Sequence, residues 1–493
     1  MSSVRAAEAT AMADLPEGEL MSRAASGLAA VASARLGGSG GLNGRSVVTL
    51  VGAGNNGGDA LYAAALLAQD GATVVVLKVA ESAHEGGLRA AQDAGASVLN
   101  AVGAHADPQS MLASALGEAE LVIDGIVGIG GHPGLSPQVE GLLREVSDTA
   151  YVLAVDLPSG ADPDGEVATH SCVYADETVT FMVPKPVHLL PATEPAVGRL
   201  TVVDIGVEIE GAPEIERVTR DDVAWLWPSP GPGDDKYSRG VLGIIAGGEN
   251  YTGAALLSVL SAVCSGAAMV RYVGPPTPTL IVRSQVPEAV IGHGQVQAWL
   301  IGPGLDAGDG STEGKAQRLA AESALDSGLP CVVDAGGLEL IIESRSTPTL
   351  LTPHAGELAR LLSRLDAPVD RATVTGAPLA HARRLADLTN STVLLKGSTT
   401  LVASPSSSDL PVRAQADAPW WLATAGSGDV LAGLAGTLLA SGLSPLDAGS
   451  VGALVHGLAA DAANPGGPIR AMGVAHAIPG VVAELLASRT PRS

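Results

Sequence analysis

The sequence predicts an α/β fold in two halves, each a parallel sheet with helices on both faces. Three observations predict it. Short β-branched runs alternate with Ala-rich helical stretches. The alternation stops over residues 208–235, where the chain turns acidic and rich in Pro and Gly, and restarts at Gly240. The strand-like runs end in glycine-rich or carboxylate-tipped loops, as in open parallel sheets. A length of 493 residues allows two to four domains, each large enough to bury a core.

In order, the first half reads Ser46–Leu50 as a strand, a glycine loop, and a small-residue helix over Ala60–Gln69. A second strand starts at Thr73, and Ala119–Asp124 and Tyr151–Asp156 supply two more, with Leu200–Ile205 as the last. The acidic stretch 208–235 reads as a connection that holds the start of the next domain. The second half repeats the alternation through Val241, Ala267, Gln297, Leu329 and Thr392, and ends in Ala/Gly/Leu-rich helix from Asp429 onward. No short repeat is visible, which excludes solenoids.

Composition narrows the function. With one Phe and 2% aromatic residues, the cores must be built from Ala, Val and Leu at close backbone spacing. Lys and Arg total 28 against 52 Asp and Glu, a formal charge of −24. Such a surface repels nucleic acid and anionic lipid, so no nucleic-acid or membrane partner is expected. An anionic ligand must therefore be caught locally, by backbone N–H groups, helix N-termini or a bound cation. Cys172, Cys264 and Cys331 form no CxxC pair, which fits a reducing compartment without structural zinc. The N-terminal residues show no signal-peptide pattern and no apolar run is long enough to span a bilayer, so a cytoplasmic location is expected.

The first constellation is Gly52-Ala53-Gly54-Asn55-Asn56-Gly57-Gly58-Asp59, directly after a strand. Glycines there let the backbone approach a phosphate, and two Asn and an Asp exceed what a turn needs. Asp124 leads into Gly128-Ile129-Gly130-Gly131-His132-Pro133-Gly134, and Asp156 leads into Leu157-Pro158-Ser159-Gly160. Strand-tip carboxylates with Asn56 and Ser159 nearby are hard oxygen donors, suited to an alkali or alkaline-earth cation. Either Asp taken singly could equally cap a helix or order a loop.

These residues, with Arg5-Ala6-Ala7-Glu8 and Leu20 to Ala25, resemble the NAD(P)H-hydrate epimerase domain, a Rossmann-like doubly wound fold, over residues 1–210. The resemblance implies that Asn55 to Asp59, Gly128 to Gly134 and Asp156 line the site for the hydrated dinucleotide. It also implies a potassium ion on Asn56, Asp124 and Ser159. Ala60 departs from the Gly common there. The hydrate carries a hydroxyl on the carbon next to the ring nitrogen, a centre that can invert by ring opening or by loss and return of hydroxide. Asp124 is the expected base.

The second half carries Gly247-Gly248, Tyr251 to Ala255, Gly302-Pro303-Gly304, Asp334, Thr352-Pro353-His354, Lys396 to Thr400 and Gly426-Ser427-Gly428-Asp429. The last set, before a small-residue helix, offers an anion hole and a carboxylate placed to take a proton from a hydroxyl, as phosphoryl transfer to an alcohol requires. Lys396 ends a strand and can meet a nucleotide phosphate. His354 sits in a loop beside Pro353 and is expected to meet ligand, whereas His456, on an apolar helix, is expected to be structural.

Residues 236–433 resemble the ribokinase-like fold and, more narrowly, the nucleotide-dependent NAD(P)H-hydrate dehydratase; the dehydratase domain is expected over 211–493. The resemblance implies that Ala254, Gly304, His354 and Asp429 meet the hydrate, while Lys396, Gly397, Ser398, Thr399, Thr400 and Gly428 bind ADP or ATP with Mg2+. Asp306 and Gly336 depart from the family pattern. Asp429 and Asp124 are the expected catalytic residues. The chain then repairs hydrated NADH and NADPH, by R/S epimerisation and dehydration of the S form. A homo-oligomer is expected, since small-residue helices allow close subunit packing. The competing reading is a ribokinase-like kinase for a vitamin precursor or sugar, with a ligand-binding N-terminal domain.

Overall fold

The computed structural model describes residues 2–37 and 41–488, and its chain divides into two compact units, 1–212 and 213–493. Unit 1 is built on β1 (Ser46–Val51), β2 (Thr73–Lys78), β3 (Ser97–Asn100), β4 (Leu121–Gly125), β5 (Tyr151–Val155), β6 (Glu177–Phe181) and β7 (Arg199–Val203). They form one sheet in the order β3-β2-β1-β4-β5-β6-β7, and every pairing is parallel. Alternation along β1 builds both cores: Val47 and Val51 face the helices Glu19–Leu36 and Asn55–Gln69, while Val48 and Leu50 face Leu112, Leu116 and Leu142. The strand order reverses between β1 and β4, so the loops after them flank a crevice at the carboxyl ends.

Small residues set the spacing. Ala60, Ala63 and Ala64 of the helix Asn55–Gln69 are fully buried. A Cβ on Gly52 would lie 1.9 Å from the Ile126 carbonyl oxygen, and one on Gly57 would lie 2.4 Å from that of Gly52. No larger residue fits either place.

Unit 2 carries β8 (Ile215–Glu216), β9 (Val241–Ile245), β10 (Met269–Val273), β11 (Val290–Ile291), β12 (Ala298–Ile301), β13 (Cys331–Val333), β14 (Thr349–Leu351), β15 (Thr392–Leu395), β16 (Thr400–Ala403) and β17 (Val412–Gln415). Their order is β11-β10-β9-β12-β13-β14-β15-β16-β17-β8, with the switch point between β9 and β12. The helices Thr252–Cys264 and Ser427–Ala440 approach so closely that a Cβ on Gly433 would lie 2.3 Å from the Ser258 carbonyl oxygen. Among the described residues no helix is long and apolar enough to cross a membrane.

Two details differ from the sequence expectation. The first helix after β1 starts at Asn55 rather than Ala60, so the Asn-Asn-Gly-Gly-Asp run is a helical turn whose glycines are kept by packing despite their poor propensity. The run 392–403 is an antiparallel hairpin, β16 pairing antiparallel with β15 and β17. The acidic connection, read from the sequence as holding the start of the next domain, contains β8, which extends the sheet beside β17.

Candidate active sites in the two units

In unit 1 the crevice opens into a cavity of about 850 Å³, within the range of small-molecule sites. Asn55, Asn56, Asp59, Gly128, Ile129, Gly130 and Asp156 line it, as do Arg5, Glu8 and Met12 of the helix Ser2–Asp14. Arg5 donates to the Ile129 carbonyl at 2.8 Å, tying that helix to the loop after β4. Gly57 and Gly58 lie behind this wall, packed on the Gly52 carbonyl and on Met21 and His84. Gly131, His132, Pro133 and Gly134 continue the loop outside the lining, and His132 is exposed.

Asp124, the base expected from the sequence, lies at the carboxyl end of β4 beside this cavity. Its side chain is fully buried and is not part of the cavity wall. One carboxylate oxygen accepts from the Ser159 hydroxyl at 2.6 Å and from the Ile126 N–H at 3.3 Å, and the other accepts from the Ser159 N–H at 2.8 Å. Burial pushes its pKa up to about 6 against the pull of those donors. The carboxylate therefore sits among buried oxygen donors and behind the cavity wall. The Ser159 hydroxyl also stands 3.4 Å from the Val127 carbonyl. The Asn56 side-chain amide is buried with an NH2 that has no partner, and its oxygen lies against Gly128. This oxygen-only set with a single carboxylate fits a hard monovalent ion.

The carboxylates that reach the cavity are Glu8, Asp59 and Asp156. Burial, then the charges of Asp156 and Glu8, push the Asp59 carboxyl well above the usual carboxylate range. Asp156 adopts a left-handed backbone, φ 63°, a strain that Asp tolerates better than most residues. A network unseen in the sequence holds it there. The Lys185 ammonium, 2% exposed, donates to Asp156 Oδ1 at 2.7 Å, to the Thr180 hydroxyl at 2.7 Å and to the Phe181 carbonyl at 3.2 Å. His188 bonds the Asp156 carbonyl through Nε2 at 2.7 Å and accepts the Lys185 N–H at Nδ1. Burial, then the charge of Lys185, lowers the His188 pKa to about 4, so the ring is neutral. The available signal was a lone Lys between Pro184 and Pro186 just past the Glu177–Phe181 run.

Unit 2 gathers its expected residues at the β9/β12 switch point and along the tips of β13 to β15. A Cβ on Gly304, where φ is +67°, would lie 2.7 Å from the Ala254 Cβ, so these residues touch. The Lys396 ammonium donates to Asp334 Oδ1 at 2.7 Å and lies 3.8 Å from Glu357. It also lies 3.4 Å from where a Gly428 Cβ would stand. Burial works against its charge, but Asp334 and Glu357 outweigh it and raise the Lys396 pKa. Lys396 is therefore the cation of a carboxylate cluster, not a free surface amine. Gly397 and Ser398 form an exposed hairpin tip, Thr399 is buried and Thr400 half-buried.

Asp429 lies in the first turn of Ser427–Ala440, after Gly426 in the left-handed region. Burial and the Asp334 charge push its pKa up to about 7, while Lys396 restrains it. A carboxylate poised there is suited to accept a proton near neutral pH. His456 is buried beneath this turn, neutral with a pKa of about 4 through burial, and bonded to the Ser427 backbone. His354 caps the helix Ala355–Leu365: its Nδ1 accepts the Gly356 and Glu357 N–H groups at 3.0 and 3.2 Å. The opposite nitrogen therefore carries the proton, and the side chain is 54% exposed. Among the described residues no group of three or more His, Cys, Asp or Glu could hold a metal.

The family model for NAD(P)H-hydrate dehydratase matches residues 242–476, and that for the YjeF-related protein N-terminus matches 17–187. The chain is 41% identical over 460 residues to the bifunctional NAD(P)H-hydrate repair enzyme Nnr of Mycobacterium tuberculosis, covering 89% of this chain and 88% of that one. It is also 41% identical over 484 residues to the enzyme of that name from Mycobacterium leprae, covering 94% of each. A solved ADP/ATP-dependent NAD(P)H-hydrate dehydratase from Bacillus subtilis aligns with 56% of this chain and 100% of its own at 23% identity and TM-score 0.48. On identity and coverage together, the chain belongs to the family of bifunctional NAD(P)H-hydrate repair enzymes.

Proposed function

We propose that unit 1 interconverts the R and S hydrates of NADH and NADPH, and that unit 2 dehydrates the S form at the expense of ATP or ADP. The observation that carries this reading is the pairing of two separate switch-point sites with family matches in both halves. The same double match favours repair over a kinase with a passive N-terminal domain.

In unit 1, Asn55, Asn56, Gly128, Ile129 and Gly130 would seat the hydrate. Asp59, whose carboxyl is shifted toward the protonated form by burial, would donate a proton to a departing hydroxyl, with Asp156 as the opposing carboxylate. Asn56, Asp124 and Ser159 would hold potassium, which supplies positive charge opposite a developing anion.

In unit 2, Ala254, Gly304 and His354 would seat the hydrate. Lys396 to Thr400 and Gly428 would meet the nucleotide. Asp429 takes the proton of the hydrate hydroxyl as its oxygen bonds to the terminal phosphorus, and the bond from that phosphorus to the nucleotide breaks. Phosphate then leaves the ring carbon and a proton leaves its neighbour, restoring the dihydropyridine. Magnesium would be held by the nucleotide phosphates and supplies charge neutralisation there. The decisive experiment follows the reduced-nicotinamide absorbance on mixing enzyme, hydrate and either nucleotide; its absence with both defeats the reading.

A further inference from the structure

A second cavity, of about 670 Å³, lies between the helix Ala355–Leu365 and the turn Val369–Arg371. Its charged wall is unlike the rest of the chain. Arg360, Arg364 and Arg371 line it with His354, against a single carboxylate, Asp370, in a protein with 28 basic and 52 acidic side chains. Asp370 accepts the Thr373 N–H and hydroxyl as a helix cap. Arg364 is spent on the Leu338 and Ile341 carbonyls. Arg360 and Arg371 are exposed and form no ion pair among the described residues. The Arg360 guanidinium folds back to within 3.9 Å of where a Gly356 Cβ would stand, beside the His354 ring. Burial lowers the pKa of His354, Glu357 opposes that shift, and the charges of Lys396, Arg360 and Arg371 add to it in that order.

Two unpaired, exposed guanidinium groups lining one cavity attract phosphate, while the imidazole beside them is held by Glu357, 3.5 Å from its Nε2. Resting on the dehydratase reading of unit 2, we propose that Arg360 and Arg371 form a subsite that grips a phosphate of the hydrated dinucleotide and delivers its ring to His354 and Asp429. The phosphate is either of the pyrophosphate bridge or the 2′-phosphate of NADPH hydrate.

The test is an Arg360→Gln/Arg371→Gln double variant. Both side chains are exposed, so an unchanged melting temperature is expected and confirms folding. The KM for hydrate should rise roughly tenfold or more, with kcat and the KM for ATP within about twofold. A rise for both hydrates assigns the pyrophosphate, and a rise for NADPH hydrate alone assigns the 2′-phosphate. An unchanged hydrate KM, or a rise in the ATP KM instead, overturns the subsite. Calorimetric binding of NADPH to wild type and variant probes the same phosphate contact without turnover, and the variant should bind more weakly. If wild type regenerates no coenzyme, the dehydratase reading fails, while equal NADPH affinities would sink the subsite separately.

Discussion

Asp429 gives the sharpest quantitative expectation. Its carboxyl is held at about 7 by burial and by Asp334, with Lys396 opposing. A base with that value is about one-tenth ionised at pH 6 and about nine-tenths ionised at pH 8, so kcat/KM for dehydration should rise roughly tenfold across the interval. Two substitutions should move this limb in opposite directions. Lys396→Met removes the cation that favours the carboxylate and shifts the limb alkaline. Asp334→Asn removes the competing anion and shifts it acid. Each shift should be on the order of one pH unit, as expected for loss of a neighbouring charge in a partly buried site. The assay is recovery of reduced-nicotinamide absorbance against pH at saturating nucleotide. A flat wild-type profile between pH 6 and 8, or two variants moving the same way, would refute the reasoning. Stability supplies a cross-check. The folded group binds its proton more tightly than the unfolded one, so stability from this site is present at low pH and is lost as pH rises from about 4 to 7. Asp429→Asn should therefore stabilise unit 2 above neutrality by about 1–3 kcal/mol while abolishing dehydration. Trp225, Trp227, Trp299, Trp420 and Trp421 all lie in unit 2, so tryptophan fluorescence reads it alone.

Unit 1 yields three further expectations. Lys185→Met strands the buried Asp156 carboxylate and should destabilise unit 1 by about 3–5 kcal/mol, splitting the far-UV transition from a fluorescence transition that does not move. Ser159→Ala removes the 2.6 Å hydroxyl bond to Asp124; it should raise the potassium concentration needed for half-maximal epimerisation at least about tenfold, and an unchanged potassium response refutes the cation assignment. Gly52→Ala forces a Cβ into the Ile126 carbonyl, 1.9 Å away, and should abolish epimerisation while leaving dehydration intact, as assayed separately on R and S hydrates.

Much of the fold was legible because strand tips carry their own punctuation. The runs ending in Gly52, Asp124, Asp156, Gly247 and Gly302 all close strands at the carboxyl edge, and alternation identified the helices between them. The helix start at Asn55 was not legible, since two adjacent glycines disfavour helix and only packing against Gly52 and Met21 overrides that. The strand Glu177–Phe181 was missed because its polar residues are buried: Glu177 pairs with Arg35, and Thr180 with Asp156. At the sites, sequence located the carboxylates but not their depth. Asp124 and Asp156 look alike as strand-tip residues, yet one is sealed by Ser159 and the other faces the cavity. Likewise Lys396 reads as a free cation until Asp334 and Glu357, far off in sequence, are placed beside it.

The central claim is that two independent sites act on one damaged coenzyme. Its most direct measurement supplies Asp429→Asn enzyme, then wild type, with a mixture of R and S NADH hydrates and ATP or ADP, and follows both absorbance and epimer ratio. Wild type should return the whole mixture to NADH, whereas the variant should equilibrate R with S and return none. Loss of both activities in the variant, or failure of wild type to consume the R form, would contradict it.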